Sequence, residues 1–311
     1  MPDAQRGTIV ILGIFVADTA YRADRQPRMG ETILGRAFAL GPGGKGSNQA
    51  VAAARAGGDV TILSRLGRDT FGDMAMATWE AAGVVPAVER GEGATGAAYI
   101  FVEEGTGDNA IIVAPGAAAT IDAGFVEGHA DLIRAARVLV TQLEQPMEAA
   151  MRALALAREG GAATILNPAP AAALPGGMLA LCDYVTPNET EAEALTGLRV
   201  ADLAGTRAAG DALLAAGVAR AAVLTLGAQG ALYHAADRSV HVPAFDAGPV
   251  VETTGAGDAF NGAFATALAE GMDPVDATRF GCAAASISVT RPGTAPSMPA
   301  RPEIDALLAR G

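Results

Sequence analysis

One stretch late in the chain, Thr253-Thr-Gly-Ala-Gly-Asp-Ala-Phe-Asn-Gly262, carries the strongest chemical signal in the sequence. Phe260, Phe264 and Leu268 follow at helical spacing and Gly271 can end the helix. Gly255, Ala256 and Gly257 therefore fall at a helix N-terminus, with Asp258 in its first turn. Free backbone N–H groups at such a position attract an anion, and glycines let a phosphate come close. An acid there can simply complement the helix dipole. Beside a phosphate cradle it can also take the proton of an alcohol as phosphoryl transfer begins. These residues alone do not choose between the two.

Other segments could serve the same chemistry. Gly41-Pro-Gly-Gly-Lys-Gly-Ser-Asn-Gln-Ala50 precedes an alanine-rich helical stretch. Its glycines let backbone approach a ligand, and Lys45 and Asn48 can read hydroxyls. It is not a P-loop, because Lys45 is followed by Gly46 and the glycine spacing differs; a plain glycine turn is the competing reading. In Thr186-Pro-Asn-Glu-Thr-Glu-Ala-Glu193, Asn188 and Glu191 share one face of a first helical turn. Their oxygens suit Mg²⁺ held through water, although an acid-rich helix start also satisfies the dipole. Leu224-Thr-Leu-Gly-Ala-Gln-Gly230 is a strand entering a glycine loop, where a nucleotide could lie. Glu144 stands at a predicted strand end, and Asp18 just beyond the first strand, where a carboxylate can bind two neighbouring hydroxyls. His129, His234 and His241 fit no triad or metal spacing and read as structural or exposed.

The elements that must position these groups form an alternating pattern. Thr8–Gly13 reads as a buried strand closed by glycine, and short apolar runs recur at 60–63, 138–142, 164–166, 184–186 and 222–226. Helical spacing fills Met147–Arg158 and Leu203–Ala216, the latter stopped by Gly217. Strands alternating with helices predict βαβ units and a largely parallel sheet, an α/β fold with helices on both faces. Two stretches, about 15–40 and 97–114, break the rhythm and read as strand pairs, with a turn at Glu103–Asp108. They form either a small β lid or an extension of the main sheet. No repeat or linker divides the chain, so 1–311 is expected to be one domain carrying the lid.

Composition narrows the function classes. The 311 residues carry 34 acidic and 22 basic side chains, a net charge of −12, which repels nucleic acid and anionic membranes alike. Half the residues are hydrophobic but only 5% aromatic, so the core is built from Ala, Val, Leu and Ile. Cys182 and Cys282 stand apart and read as buried free thiols rather than a disulfide or zinc site. Ile9–Val16 is too short for a signal peptide, and no apolar run reaches the ~18 residues a span needs. A soluble cytoplasmic protein is expected. A nicotinamide-dependent enzyme is not, because Gly13-Ile-Phe-Val-Ala-Asp18 lacks GxGxxG after the first strand.

In this order and along nearly the whole chain, Gly43-Gly-Lys-Gly-Ser-Asn-Gln-Ala50, Asn167-Pro-Ala-Pro-Ala171, Thr186-Pro-Asn-Glu-Thr-Glu-Ala-Glu193 and Gly255-Ala-Gly-Asp258 resemble the ribokinase-like (PfkB-type) carbohydrate kinases. The resemblance implies a doubly wound α/β body whose β lid often also clasps a homodimer. It implies transfer of the ATP γ-phosphoryl group to a primary hydroxyl, the 5-hydroxyl if the sugar is ribose. By that resemblance Asp258 is the base, and Gly255, Ala256 and Gly257 form the anion hole. Asp18, Gly44, Lys45, Asn48 and Glu144 fall on sugar-binding positions. Asn188, Thr225, Gly227, Gly230, Gly257 and Cys282 fall on nucleotide-site positions, and Glu191 on the magnesium-associated acid. A monovalent cation, usually K⁺, is implied at Glu252, Thr254, Ser288, Arg291, Gly293 and Ser297, several acting through backbone carbonyls.

Two residues depart from the pattern. Glu252 stands where the family generally has Asp, and Val16 where it has Asn two residues before the sugar-binding Asp18. Valine neither donates nor accepts a hydrogen bond, which opens the acceptor to another small sugar or nucleoside, such as deoxyribose, a ketose or pseudouridine. A non-catalytic sugar or nucleotide sensor on the same fold is the alternative of a different class.

Overall fold

The computed structural model describes residues 8–310; residues 1–7 and 311, the two ends of the expected 1–311 domain, lie outside the described residues. The chain opens with β1 (Thr8–Leu12), β2 (Val16–Ala23), β3 (Ala37–Gly43), α1 (Lys45–Arg55) and β4 (Asp59–Gly67). It continues through α2 (Thr70–Ala82), β5 (Val85–Gly91), β6 (Thr95–Glu103), β7 (Asn109–Gly116), α3 (Ala123–Gly128), α4 (Ala130–Arg134) and β8 (Val138–Thr141). Next come α5 (Met147–Gly160), β9 (Ala163–Leu166), β10 (Tyr184–Val185), α6 (Glu189–Thr196), α7 (Leu203–Ala215) and β11 (Ala221–Thr225). The last elements are β12 (Ala231–Ala235), β13 (Ser239–Val242), α8 (Ala256–Ala269), α9 (Pro274–Ser288) and α10 (Arg301–Leu308).

Nine strands form one sheet in the order β13-β12-β11-β10-β9-β8-β1-β4-β5. The run from β11 to β5 is parallel throughout, while β12 and β13 add an antiparallel edge. β1 shows why it sits at the centre. Ile9 and Ile11 enter one core with α1, α2, α8, α9 and α10, whereas Val10 and Leu12 enter a second with α3 to α7. All four are fully buried, as a strand covered by helices on both faces requires. The helices thus lie on both faces, and the reversal of chain order around β1 opens a crevice beyond the carboxyl ends of β1 and β8.

The two irregular stretches form a separate four-stranded sheet, β3-β2-β6-β7, rather than extending the main one. One face carries the exposed Tyr21, Phe38, Leu40 and Ile112, and the Tyr21 ring lies 5.1 Å from Phe38 and 5.6 Å from Tyr99. Asp18, just beyond β1 and inside the first of the two stretches read as strand pairs, is the third residue of β2. Both cysteines are free and buried. No helix among the described residues is long and apolar enough to cross a membrane.

Asp69, Asp122, Asn188, Asp202 and Asp273 cap α2, α3, α6, α7 and α9 with their side chains. The two helices that bring Lys45 and Asp258 into play instead begin after Gly44 and Gly255, with no side-chain cap. Both glycines have left-handed φ, +89° and +85°. At Gly44 a Cβ would also lie 2.6 Å from the Ile14 carbonyl oxygen, so only glycine fits.

Candidate active site

Helices α1 and α8 cross closely because Gly262 has no side chain. A Cβ there would lie 2.5 Å from the Gln49 carbonyl oxygen and 2.6 Å from Ala52 Cβ. This contact carries the first turn of α1 beside the first turn of α8. Asn48 Nδ2 donates to Asp258 Oδ2 at 3.0 Å, and Gln49 Nε2 donates to Asp258 Oδ1 at 3.0 Å. Asp258 is buried, yet it lines a cleft of about 510 Å³ together with Lys45, Gly255, Ala256 and Gly257. Burial pushes its carboxyl above the usual range, while Lys45 and the two amide donors pull it down. The lone acid of the glycine motif and the lysine of the distant glycine loop therefore share one cavity.

The proposed sugar-binding residues gather around this point. The Glu144 carboxylate accepts the Lys45 backbone N–H at 2.8 Å, and burial pushes it up to about 7. Asp18 lies flat over Gly43, where a Cβ would come within 2.3 Å of both carboxylate oxygens. Burial first, then the nearby Asp258 and Glu252, push Asp18 up to about 6. Asn48 Oδ1 is buried and has no partner among the described residues. A buried carbonyl oxygen without a donor is costly, and a ligand hydroxyl would satisfy it.

The remaining length of the cleft is lined by Asn188, Glu191, Thr225, Gly227 and Gly230 at one side and Cys282 at the other. Asn188 and Glu191 form a capping box: Asn188 Oδ1 accepts the Glu191 N–H and Glu191 Oε2 accepts the Asn188 N–H. Their pairing in sequence is thus explained structurally, while both still face the cleft. Cys282 lies in α9 with its thiol pushed up to about 12 by burial, an apolar wall rather than a nucleophile. Of the three amides expected at the anion hole, Ala256 N–H already donates to Thr253 O at 3.2 Å.

Glu252, Thr254, Ser288, Arg291, Gly293 and Ser297 lie behind the start of α8 and outside the cleft lining. Glu252 Oε2 accepts the Gly293 N–H at 2.8 Å, and its own N–H donates to Val289 O. The Arg291 side chain pairs with Glu303. Among the described residues no three His, Cys, Asp or Glu side chains are grouped to hold a metal directly.

The sequence motifs include Gln49, Asn167, Thr186 and Asn261 but assign no role to them or to Gln142; these five form a buried chain of hydrogen bonds that reaches Asp258. Gln142, Asn167 and Thr186 each follow the carboxyl end of a neighbouring strand, β8, β9 and β10. That shared position was the available signal. The three histidines make local bonds only, His129 to Phe125 O, His234 to Asp211 and Ser239, and His241 to Gln229 O.

The model of the pfkB family of carbohydrate kinases matches residues 6–301. The chain belongs to that family. It is an ATP-dependent carbohydrate kinase. Among relatives of this pfkB kinase, a ribokinase of Schizosaccharomyces pombe is 40% identical, with 96% of each chain covered. A deoxyribokinase of Salmonella typhi is 35% identical over 97% of this chain and 98% of that one. Of solved structures, Arabidopsis thaliana ribokinase complexed with ribose and ATP superposes with a TM-score of 0.91 at 29% identity, covering 98% and 99% of the two chains.

Proposed function

We propose that this kinase phosphorylates D-ribose at its 5-hydroxyl, with Asp258 as the general base, and that it works in the cytoplasm. One observation carries the reading: a buried carboxylate, held by two amides, shares a cleft with a lysine and a glycine-capped helix start. Asp258 takes the proton of the hydroxyl as its oxygen attacks the γ-phosphorus and ADP leaves. The amides of Gly255, Ala256 and Gly257 receive the charge on the transferring group, Ala256 by exchanging its bond to Thr253 O. Such a reaction needs positioning and charge neutralisation rather than covalent chemistry from the protein. Asp18, Gly44, Lys45, Asn48 and Glu144 hold the sugar; Asn188, Thr225, Gly227, Gly230, Gly257 and Cys282 hold the nucleotide. Mg²⁺ bound with the nucleotide would neutralise phosphate charge, and Glu191 is the residue that would hold it, through water. K⁺ would be held at Glu252, Thr254, Ser288, Arg291, Gly293 and Ser297; two of these segments are joined where Glu252 accepts the Gly293 N–H.

A second acceptor is favoured by one residue. Val16 is buried and lies on the same face of β2 as Asp18, two residues away. An apolar wall there suits a pentose lacking one hydroxyl, such as 2-deoxyribose. Ribose, 2-deoxyribose and ketoses compared by ADP release, in K⁺ and in Na⁺ at matched ionic strength, decide the matter. The expected result is fastest turnover with ribose in K⁺. Ribose no faster than other pentoses rejects the acceptor, and equal rates in the two salts reject the cation site. Val16→Asn is expected to raise the ribose to deoxyribose ratio of kcat/KM by about 2- to 10-fold, the worth of one hydrogen bond.

The strands within 15–40 and 97–114 act as a lid on a single domain and as the seam of a homodimer. The support is the apolar face of the second sheet, with Ile112 68% exposed; contiguous apolar surface on a soluble protein marks a contact site. Sedimentation should give a dimer that Ile112→Lys converts to monomer. A monomeric native protein at micromolar concentration discards the seam.

A further inference from the structure

We infer that Gln49 is a positioning residue for the Asp258 carboxylate, and that Gln142 fixes which end of the Gln49 amide meets it. The inference rests on Asp258 acting as the base. A glutamine amide has one acceptor end and one donor end, and only the donor end can hold a carboxylate. Gln142 Nε2 donates to Gln49 Oε1 at 2.6 Å, which occupies the acceptor end. The donor end then faces Asp258 Oδ1 and Asn167 Oδ1, both at 3.0 Å, so each of its hydrogens has a partner. Asn167 is oriented in turn, because its Nδ2 donates to Thr186 O at 3.2 Å. Gln142 is itself seated against backbone: a Cβ on Gly13 would meet its Oε1 at 2.6 Å and one on Gly46 at 3.0 Å. Three side chains, from α1 and two strand ends, together with the Thr186 carbonyl, thus turn the donor end of Gln49 to Asp258, while Gln142 Oε1 has no hydrogen-bond partner among the described residues.

The two amides that touch Asp258 differ in how they are spent. Asn48 keeps an unpartnered buried oxygen, so its amide can re-form its bonds around a sugar hydroxyl. Gln49 is fully buried and has donor and acceptor ends both committed to protein. It is the fixed strut that holds the base while Asn48 exchanges partners. A hydrogen bond to the charged form also favours ionisation against the burial that opposes it. The charged groups whose fields bear on Asp258 are Lys45 from α1, Glu144 beyond β8, Asp18 from β2 and Glu191 from α6. None of them bonds to the Gln49 amide.

Gln49→Met keeps length and removes the amide. The acid limb of its kcat profile is expected to move up by about one pH unit, so that turnover on that limb falls about tenfold, equivalent to one charge-assisted hydrogen bond. Sugar KM should stay within about twofold, and kcat should recover at alkaline pH, which a merely structural role would not produce. An unmoved acid limb, or a raised KM with unchanged kcat, overturns the inference. If Gln49→Met does not fold, Gln142→Met reads the same question one bond away. It should give a smaller shift in the same direction, and an unmoved limb in that folded variant overturns the proposal. Asp258→Asn separates the layers: if it retains turnover, the base assignment itself fails. An inactive Asp258→Asn beside an unperturbed Gln49→Met removes only the strut.

Discussion

Asp258→Asn is expected to lower turnover at least ~10²-fold while sugar affinity stays close to that of the native enzyme. The substitution keeps the shape of the side chain at the third position of α8 and removes its capacity to accept a proton at neutral pH. General-base catalysis is worth about 10²–10⁴-fold, and the lower end applies where the phosphate cradle still orients the nucleotide. Binding should survive because Asp18, Lys45, Asn48 and Glu144 are untouched, and an asparagine oxygen can still accept from either Asn48 or Gln49. Single-turnover phosphorylation beside calorimetric sugar binding separates the two quantities. Turnover equal to the native rate would remove Asp258 from the chemistry and leave the dipole as its only role. A sensor would show no turnover in either protein.

Gly262→Ala, about one helical turn along α8 from that base, should damage the enzyme without touching a ligand. Its methyl would enter space held by the Gln49 carbonyl, Ala52 Cβ and Ala53 N, at 2.5, 2.6 and 2.7 Å. Two of those atoms are backbone, so α1 and α8 must move apart. Overpacking of this kind costs roughly 1–3 kcal/mol, a drop in Tm of several degrees. The larger effect is on rate. Asn48 and Gln49 ride on α1 and Asp258 on α8, so separation lengthens the bonds that aim the carboxylate. A misplacement of about 1 Å can cost about 10²-fold. Gly105→Ala in the β6–β7 turn, where a Cβ meets nothing within 4 Å, is the control and should change neither quantity. Native turnover in folded Gly262→Ala would show that the crossing is not what aims the site.

Much of this arrangement is legible in the chain because its parts are local. The glycines that start α8, the apolar run of β1 and the helix spacing after Met147 each express their structure within a few residues. The order of the motifs then points to one family and to strands ending at one crevice. What is not legible is made at long range. Gln49, Gln142 and Asn167 lie 93 and 118 residues from one another's partner, and Gln49 lies 209 from Asp258. Glutamine and asparagine are common on surfaces, so nothing in their types announces burial. That Asp18 stands on a strand of a separate sheet is also a long-range fact, made by the pairing of β2 with β3 and β6. The antiparallel β12–β13 edge was likewise unmarked, because Ala231–Ala235 is short and follows the Gly227–Gly230 turn without a helix between.

The bond from Asn48 to Asp258 spans 210 residues of chain. At about 5–20 residues per second, a ribosome needs roughly 10–40 s to make the second partner after the first. Throughout that interval the apolar side of α1, with Ala50, Val51 and Ala53, waits for the helix that will cover it. Nascent chains stalled before α8 should therefore recruit chaperones and bear no activity, and catalysis should switch on in one step when the last fifth of the chain emerges.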